Sequence, residues 1–261
     1  MVGGGQEWSE QSWYSALIFE FATSYVHYWG RRAIDYAQKK GWQVVDLDGE
    51  AATADNFFSY LDTYHPDLIL IATHGGPDKV IGQWDTPFLN SCDNDGKLNG
   101  TPTYYLACLA GQQLGKTTFE KGSPVVVAYL PEFIWNVNPS YTPDKDPLAA
   151  PFADVAVEPI LAMIDGLSPK EVYARVMKKY DEVYNKWARD PSPDAAMVLT
   201  SLDNNRRGLI IYAGEGPITA PPSPILPALL ALGGIGALAL YLHHRSKMKK
   251  PKILPVGYGV G

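Results

Sequence analysis

Leu68-Ile69-Leu70-Ile71-Ala72-Thr73-His74-Gly75-Gly76 and Tyr104-Tyr105-Leu106-Ala107-Cys108-Leu109-Ala110-Gly111 are two apolar runs, each ending in a side chain fit for proton or acyl chemistry. Short runs that are apolar throughout and rich in β-branched or aromatic residues read as strands buried on both faces. As neighbouring parallel strands they deliver His74 and Cys108 to the same edge of one sheet, where open α/β sheets keep their sites. That is the layout of a cysteine nucleophile with its base.

Outward from this pair, strand and helix signals alternate without an internal repeat. Ser15–Phe21 reads as a first strand, His27–Lys40 as a helix ended by Gly41, and Trp42–Leu47 as a second strand. Ala54–Tyr64 reads as a helix opened by Thr53 or Asp55 and closed before Pro66. Asp67–Thr73, Thr103–Cys108 and Pro124–Leu130 follow as strands three to five. Ser168-Pro169-Lys170-Glu171 is a capping box that opens a helix to about Trp187, with Val172, Val176, Tyr180, Tyr184 and Trp187 on its core face. Gly208–Ala213 is a last strand and Gly214–Ser223 a Gly/Pro-rich linker. Nearly continuous apolar strands alternating with helices predict an α/β fold, three layers α/β/α around a mainly parallel sheet.

Pro77–Gly100 is longer than an ordinary connection, so it is either a hairpin excursion or a functional loop over the site. Within it, Asp93-Asn94-Asp95-Gly96 has the opening of a calcium loop, but the twelfth position from Asp93 is Tyr104. A turn is the better reading, and no metal site is expected.

The charge is uneven. The chain has 22 basic and 28 acidic residues, and Arg245, Lys247, Lys249, Lys250 and Lys252 are the only charged ones after Pro221. The part before Pro221 therefore holds 17 basic against 28 acidic residues, about −11, which disfavours nucleic acid as a partner. Cys92 and Cys108 are too few for a disulfide scaffold or a zinc spacing.

Ile225–Leu242 is uncharged and spans roughly 27 Å as a helix, enough for a bilayer core. It starts at Pro224 and Pro227, stops at His243-His244-Arg245-Ser246-Lys247, and is apolar all round, so it reads as a transmembrane anchor. The basic tail argues for a cytoplasmic C-terminus, while Met1–Glu10 shows neither a basic n-region nor a long apolar run. The side of the membrane that holds the large domain stays open. The expected organisation is an N-terminal segment over 1–13, a folded domain over 14–216, a Pro-rich linker over 217–224, the transmembrane helix over 225–242 and a basic tail over 243–261.

A thiolate attacking a carbonyl needs a neutral imidazole to take the thiol proton and N–H donors where the oxyanion forms. Gly75 and Gly76 allow close backbone approach and leave a free N–H, and the N–H of Cys108 supplies a second donor. The residues suit acyl transfer.

His-Gly after the third strand and apolar-Ala-Cys-x-x-Gly after the fourth resemble the dyad motifs of the caspase-like cysteine peptidases, which include caspases, gingipains, legumains, separases and CHAT-domain proteases. Ile71–Gly75 and Leu106–Gly111 are most similar to the CHAT and gingipain branches. The order of elements agrees from about Tyr14 to Gly216, including the 124–130 strand, a Phe152–Gly166 helix and the capped helix at Ser168. The resemblance implies a caspase-like fold and an endopeptidase acting on protein or peptide substrates without a cofactor. It implies His74 as general base, Cys108 as nucleophile, and Gly75 with Cys108 at the oxyanion. Caspases place Gln two residues before the Cys; Leu106 stands here, so cleavage after Asp is not implied.

Two other readings compete. One is a catalytically silent module of the same fold that binds a partner at a membrane. The other takes Ala110–Thr117 as a relaxed P-loop with Lys116 on a phosphate, although Val125–Leu130 runs into Pro131-Glu132 rather than a magnesium-binding Asp. Glu20 is a candidate for orienting His74. Asp46, Asp48 and Asp78 are candidates for selecting a basic substrate residue, and Trp84 for lining a pocket.

Overall fold

Tyr25, Trp29, Ala33 and Ala37 recur every four residues, which lays one apolar stripe along α1 (Trp13–Lys39), and all four are buried. The computed structural model describes residues 13–214 and 216–219, with side chains from residue 24 onward except that of Trp84. The Ser15–Phe21 run lies inside α1 and is not a strand. A short apolar run is compatible with either state, and here it continues a helical stripe.

Trp42–Leu47 is not a strand either. It joins no sheet, and with β1 it lines a trough of about 1670 Å³. α2 (Ala54–Tyr64) follows as expected, capped by Thr53 Oγ1, which accepts from the Asn56 N–H at 3.3 Å.

β1 (Ile69–Ala72) leads into a hairpin of β2 (Lys79–Ile81) and β3 (Pro87–Asn90), so Pro77–Gly100 is a hairpin excursion. A 3-10 turn at Asp95–Leu98 then buries Asp95, which receives Lys121 Nζ at 2.6 Å and the Thr117 hydroxyl at 2.5 Å. This is a turn, and among the described residues no cluster of His, Cys, Asp or Glu could hold a metal. β4 (Thr103–Leu106), α3 (Leu114–Glu120) and β5 (Val125–Tyr129) continue the α/β alternation. α4 (Ala150–Ile164), α5 (Pro169–Trp187) and α6 (Ala195–Gly208) then lead to β6 (Leu209–Ala213) and β7 (Gly216–Thr219).

The sheet order is β1-β4-β5-β6-β7. β1, β4 and β5 are parallel, β6 runs against them and β7 returns, so four of the five strands share one direction. β7 falls within the stretch read as linker, and α6 carries no strong signal in the sequence. Alternation along β4 shows the two covered faces. Tyr104 donates to the Ala156 carbonyl at 2.7 Å in the layer of α1, α4, α5 and α6, while Tyr105 meets the Thr118 hydroxyl at 2.9 Å in the layer of α2 and α3. The fold is α/β with helices on both faces.

The Ser168 capping box is formed, with Glu171 Oε2 accepting from the Ser168 N–H at 2.8 Å. Among the described residues no helix is long and apolar enough to cross a membrane. The 225–242 run, the basic tail and residues 1–12 lie outside the described residues.

Asp165 joins α1, α4 and α5. Lys40 donates to it at 2.7 Å, Arg175 at 2.6 Å and Tyr36 at 2.8 Å, and these donors, Lys40 foremost, hold its carboxyl down to about 2. A depressed carboxyl stabilises the fold above its ordinary value near 4 and loses that contribution as pH falls through its folded value. Denaturant midpoints recorded between pH 5 and pH 2 are therefore expected to drop, with a shallower drop in Asp165→Asn. Leu202→Ala, at a fully buried site, is expected to cost about 2–5 kcal/mol, against less than about 0.5 for Met197→Ala, which is 42% exposed. Urea unfolding of the two variants checks this.

Candidate active site

Register positions the two reactive residues. Ile69 lies opposite Thr103 and Ala72 opposite Leu106, so two residues beyond each strand His74 and Cys108 come level at adjacent carboxyl ends. Both line one small cleft of about 30 Å³, with Val26 of α1, Ala72, Leu106, and Phe133 and Trp135 of the loop after β5.

The ladder opens where they emerge. Its last rung is the Thr73 N–H to the Leu106 carbonyl at 3.2 Å. Beyond it β1 turns into the hairpin: Gly76 N–H donates to Lys79 O at 2.9 Å and Ile81 N–H to His74 O at 3.0 Å, with Gly75 bridging Val80 between them. In such a non-hydrogen-bonded pair the Gly75 N–H points away from the partner strand. Among the described residues neither the Gly75 nor the Cys108 amide enters a backbone hydrogen bond. The turn at Gly75 packs against the Cys108 backbone, and the Cys108 amide bears on its own thiol.

Two glycines shape this corner. A Cβ on Gly75 would lie 2.7 Å from the Cys108 carbonyl oxygen and 2.9 Å from the Ala107 Cβ. A Cβ on Gly111 would lie 2.9 Å from the Tyr129 carbonyl and 2.8 Å from Ile210 Cγ2. After Cys108 the chain must fold straight back onto β5, with Leu109 N–H reaching Pro131 O at 3.1 Å and Gly111 N–H reaching Tyr129 O at 2.9 Å. Leu109 takes φ +62° in that turn, a strained value for a branched side chain.

The electrostatics favour a neutral pair. Burial lowers the His74 imidazole below its ordinary value, partly opposed by the charge of Asp85. Burial raises the Cys108 thiol, and the charge of Glu132 adds to this. The thiol sits 4.0 Å from the Phe133 carbonyl. At neutral pH the site therefore holds a neutral imidazole and a protonated thiol, a base and a latent nucleophile rather than an ion pair.

Sequence reasoning brought the dyad and Gly75 together but missed Val26, Phe133 and Trp135. Apolar residues distant in sequence carry no mark of a shared cleft. Asp46 pairs with Arg31, Asp48 with His27 at 3.1 Å, and Asp78 lies 4.0 Å from Lys79, so these carboxylates have local partners. The side chains of Glu20 and Trp84 lie outside those described. Lys116 pairs with Glu120 at 3.6 Å, and the Thr117 hydroxyl is engaged by Asp95, so the P-loop match gathers no phosphate cradle. Comparison with protein-family models, curated proteins and solved structures yields no match. Two site predictions follow from the burial and the packing. Alkylation of Cys108 by iodoacetamide, followed by mass spectrometry across pH, is expected to rise at higher pH than for an unperturbed thiol. Gly75→Ala is expected to destabilise the fold by about 1–3 kcal/mol in urea unfolding, because it overpacks the turn against Cys108.

Proposed function

We propose that the chain is a cysteine endopeptidase of caspase-like fold, with His74 as general base and Cys108 as nucleophile. The observation that carries this reading is the opened ladder between β1 and β4, which puts a neutral imidazole and a thiol on one cleft, with the Gly75 turn packed against the Cys108 backbone.

The chemistry follows from those groups. The Cys108 thiol gives its proton to His74 as sulfur attacks the scissile carbonyl, and the oxyanion draws on the N–H groups of Gly75 and Cys108. Collapse breaks the C–N bond, and the imidazolium protonates the departing amine. Water, deprotonated by His74, then attacks the thioester, releasing a carboxylate and restoring the thiol. The trough along the outer edge of β1 ends at His74 and offers an extended polypeptide a route to the site. The uncharged run at 225–242 would hold the enzyme at a membrane.

One observation favours the second reading, a silent module that binds a partner: the thiol is raised rather than activated at rest. Peptide hydrolysis separates the two. Cys108→Ala is expected to abolish it with the fold retained, and Lys116→Ala to leave it within about twofold. Because the His74 pKa is lowered, the acid limb of kcat/KM is expected below the ordinary imidazole value near 6.5. No Cys108-dependent turnover at any pH would favour the silent module. A chain ending at Ala220, which keeps β7, is expected in the soluble fraction, and the full chain in the detergent phase of a partition assay.

A further inference from the structure

We infer that the cleft beside Cys108 is a subsite that admits only a small uncharged side chain, such as that of alanine, on the acyl side of the scissile bond. This deepens the peptidase reading and rests on it. The cleft measures about 30 Å³, room for one or two water-sized groups, and beyond the dyad its walls are Val26, Ala72, Thr73, Leu106, Ala107, Phe133 and Trp135. No wall residue carries a charge to receive a guanidinium or a carboxylate, and burying either one unpaired is costly.

The walls are fastened rather than soft. Asn205, fully buried on α6, holds the segment between Phe133 and Trp135 from both sides: its side chain accepts from the Ile134 N–H at 2.9 Å and donates to the Ile134 carbonyl at 2.6 Å. Trp135 packs edge-on to the buried Trp29 at 5.5 Å, and Phe133 is wedged between Trp29 at 6.2 Å and Tyr129 at 4.8 Å. A larger substrate residue would have to displace this aromatic cluster. Glu132, next in sequence to Phe133 and not one of the cleft walls, bears on the Cys108 thiol; its charge repels acidic residues, while basic ones are excluded by size alone.

The test is a set of fluorogenic peptides that differ only in the residue before the scissile bond. kcat/KM for Ala is expected to exceed that for Phe, Arg and Asp by at least about tenfold, a ratio within reach of steric exclusion. Trp135→Ala is expected to raise the Leu-to-Ala ratio about tenfold, and Val26→Ala to move it the same way if the Trp135 variant does not fold. Cys108-dependent cleavage after Phe, Arg or Asp as fast as after Ala overturns the subsite and leaves the peptidase reading standing. If no peptide is cleaved at any pH, the peptidase reading falls and the subsite falls with it.

Discussion

The parallel pairing of β1 with β4 is the constraint on which the site depends. Its register aligns Ala72 with Leu106, and the placement of His74 beside Cys108 is read from that alignment two residues further on. A slip by one residue would turn His74 to the opposite face from Cys108, because side chains alternate with a period of two. The register is held by burial on both faces: Ile69 and Ile71 pack into the α2/α3 layer, while Tyr104 and Leu106 pack into the α1/α4 layer. Core packing and site geometry are therefore one problem in this fold.

The same burial sets the chemistry. Partial burial against apolar walls keeps the imidazole neutral and the thiol protonated at neutral pH. An electrostatically activated thiolate needs cationic surroundings, and those around Cys108 are aromatic walls and the acidic Glu132.

The walls themselves are assembled from far along the chain. Buried Asp146 accepts from the Tyr25 hydroxyl at 2.7 Å, the Asn138 N–H at 2.8 Å and the Leu148 N–H at 2.8 Å, fastening the loop after β5 to α1. Asn205 fastens the start of that loop to α6. One buried polar residue near each end thus fixes the loop, and a fully satisfied buried polar group specifies position more sharply than apolar contact alone.

What the sequence determined by itself is whatever local periodicity and chain chemistry encode: the strands ending in His74 and Cys108, the helix from Thr53, the Ser168 capping box, the turn at Asp95 and the α/β class. Ser15–Phe21 and Trp42–Leu47 were read as strands because short apolar runs look alike in either state. Tertiary structure decided otherwise, since the stripe through Tyr25 and Trp29 extends a helix backward and Trp42–Leu47 pairs with no strand of the sheet. Tertiary structure alone also decided the reversal of β6, the addition of β7, and the meeting of Val26, Phe133 and Trp135 around the sulfur. Pairing partners and cleft walls are contacts between residues far apart in the chain, as Val26 is from Trp135, and no pattern confined to a local window records them.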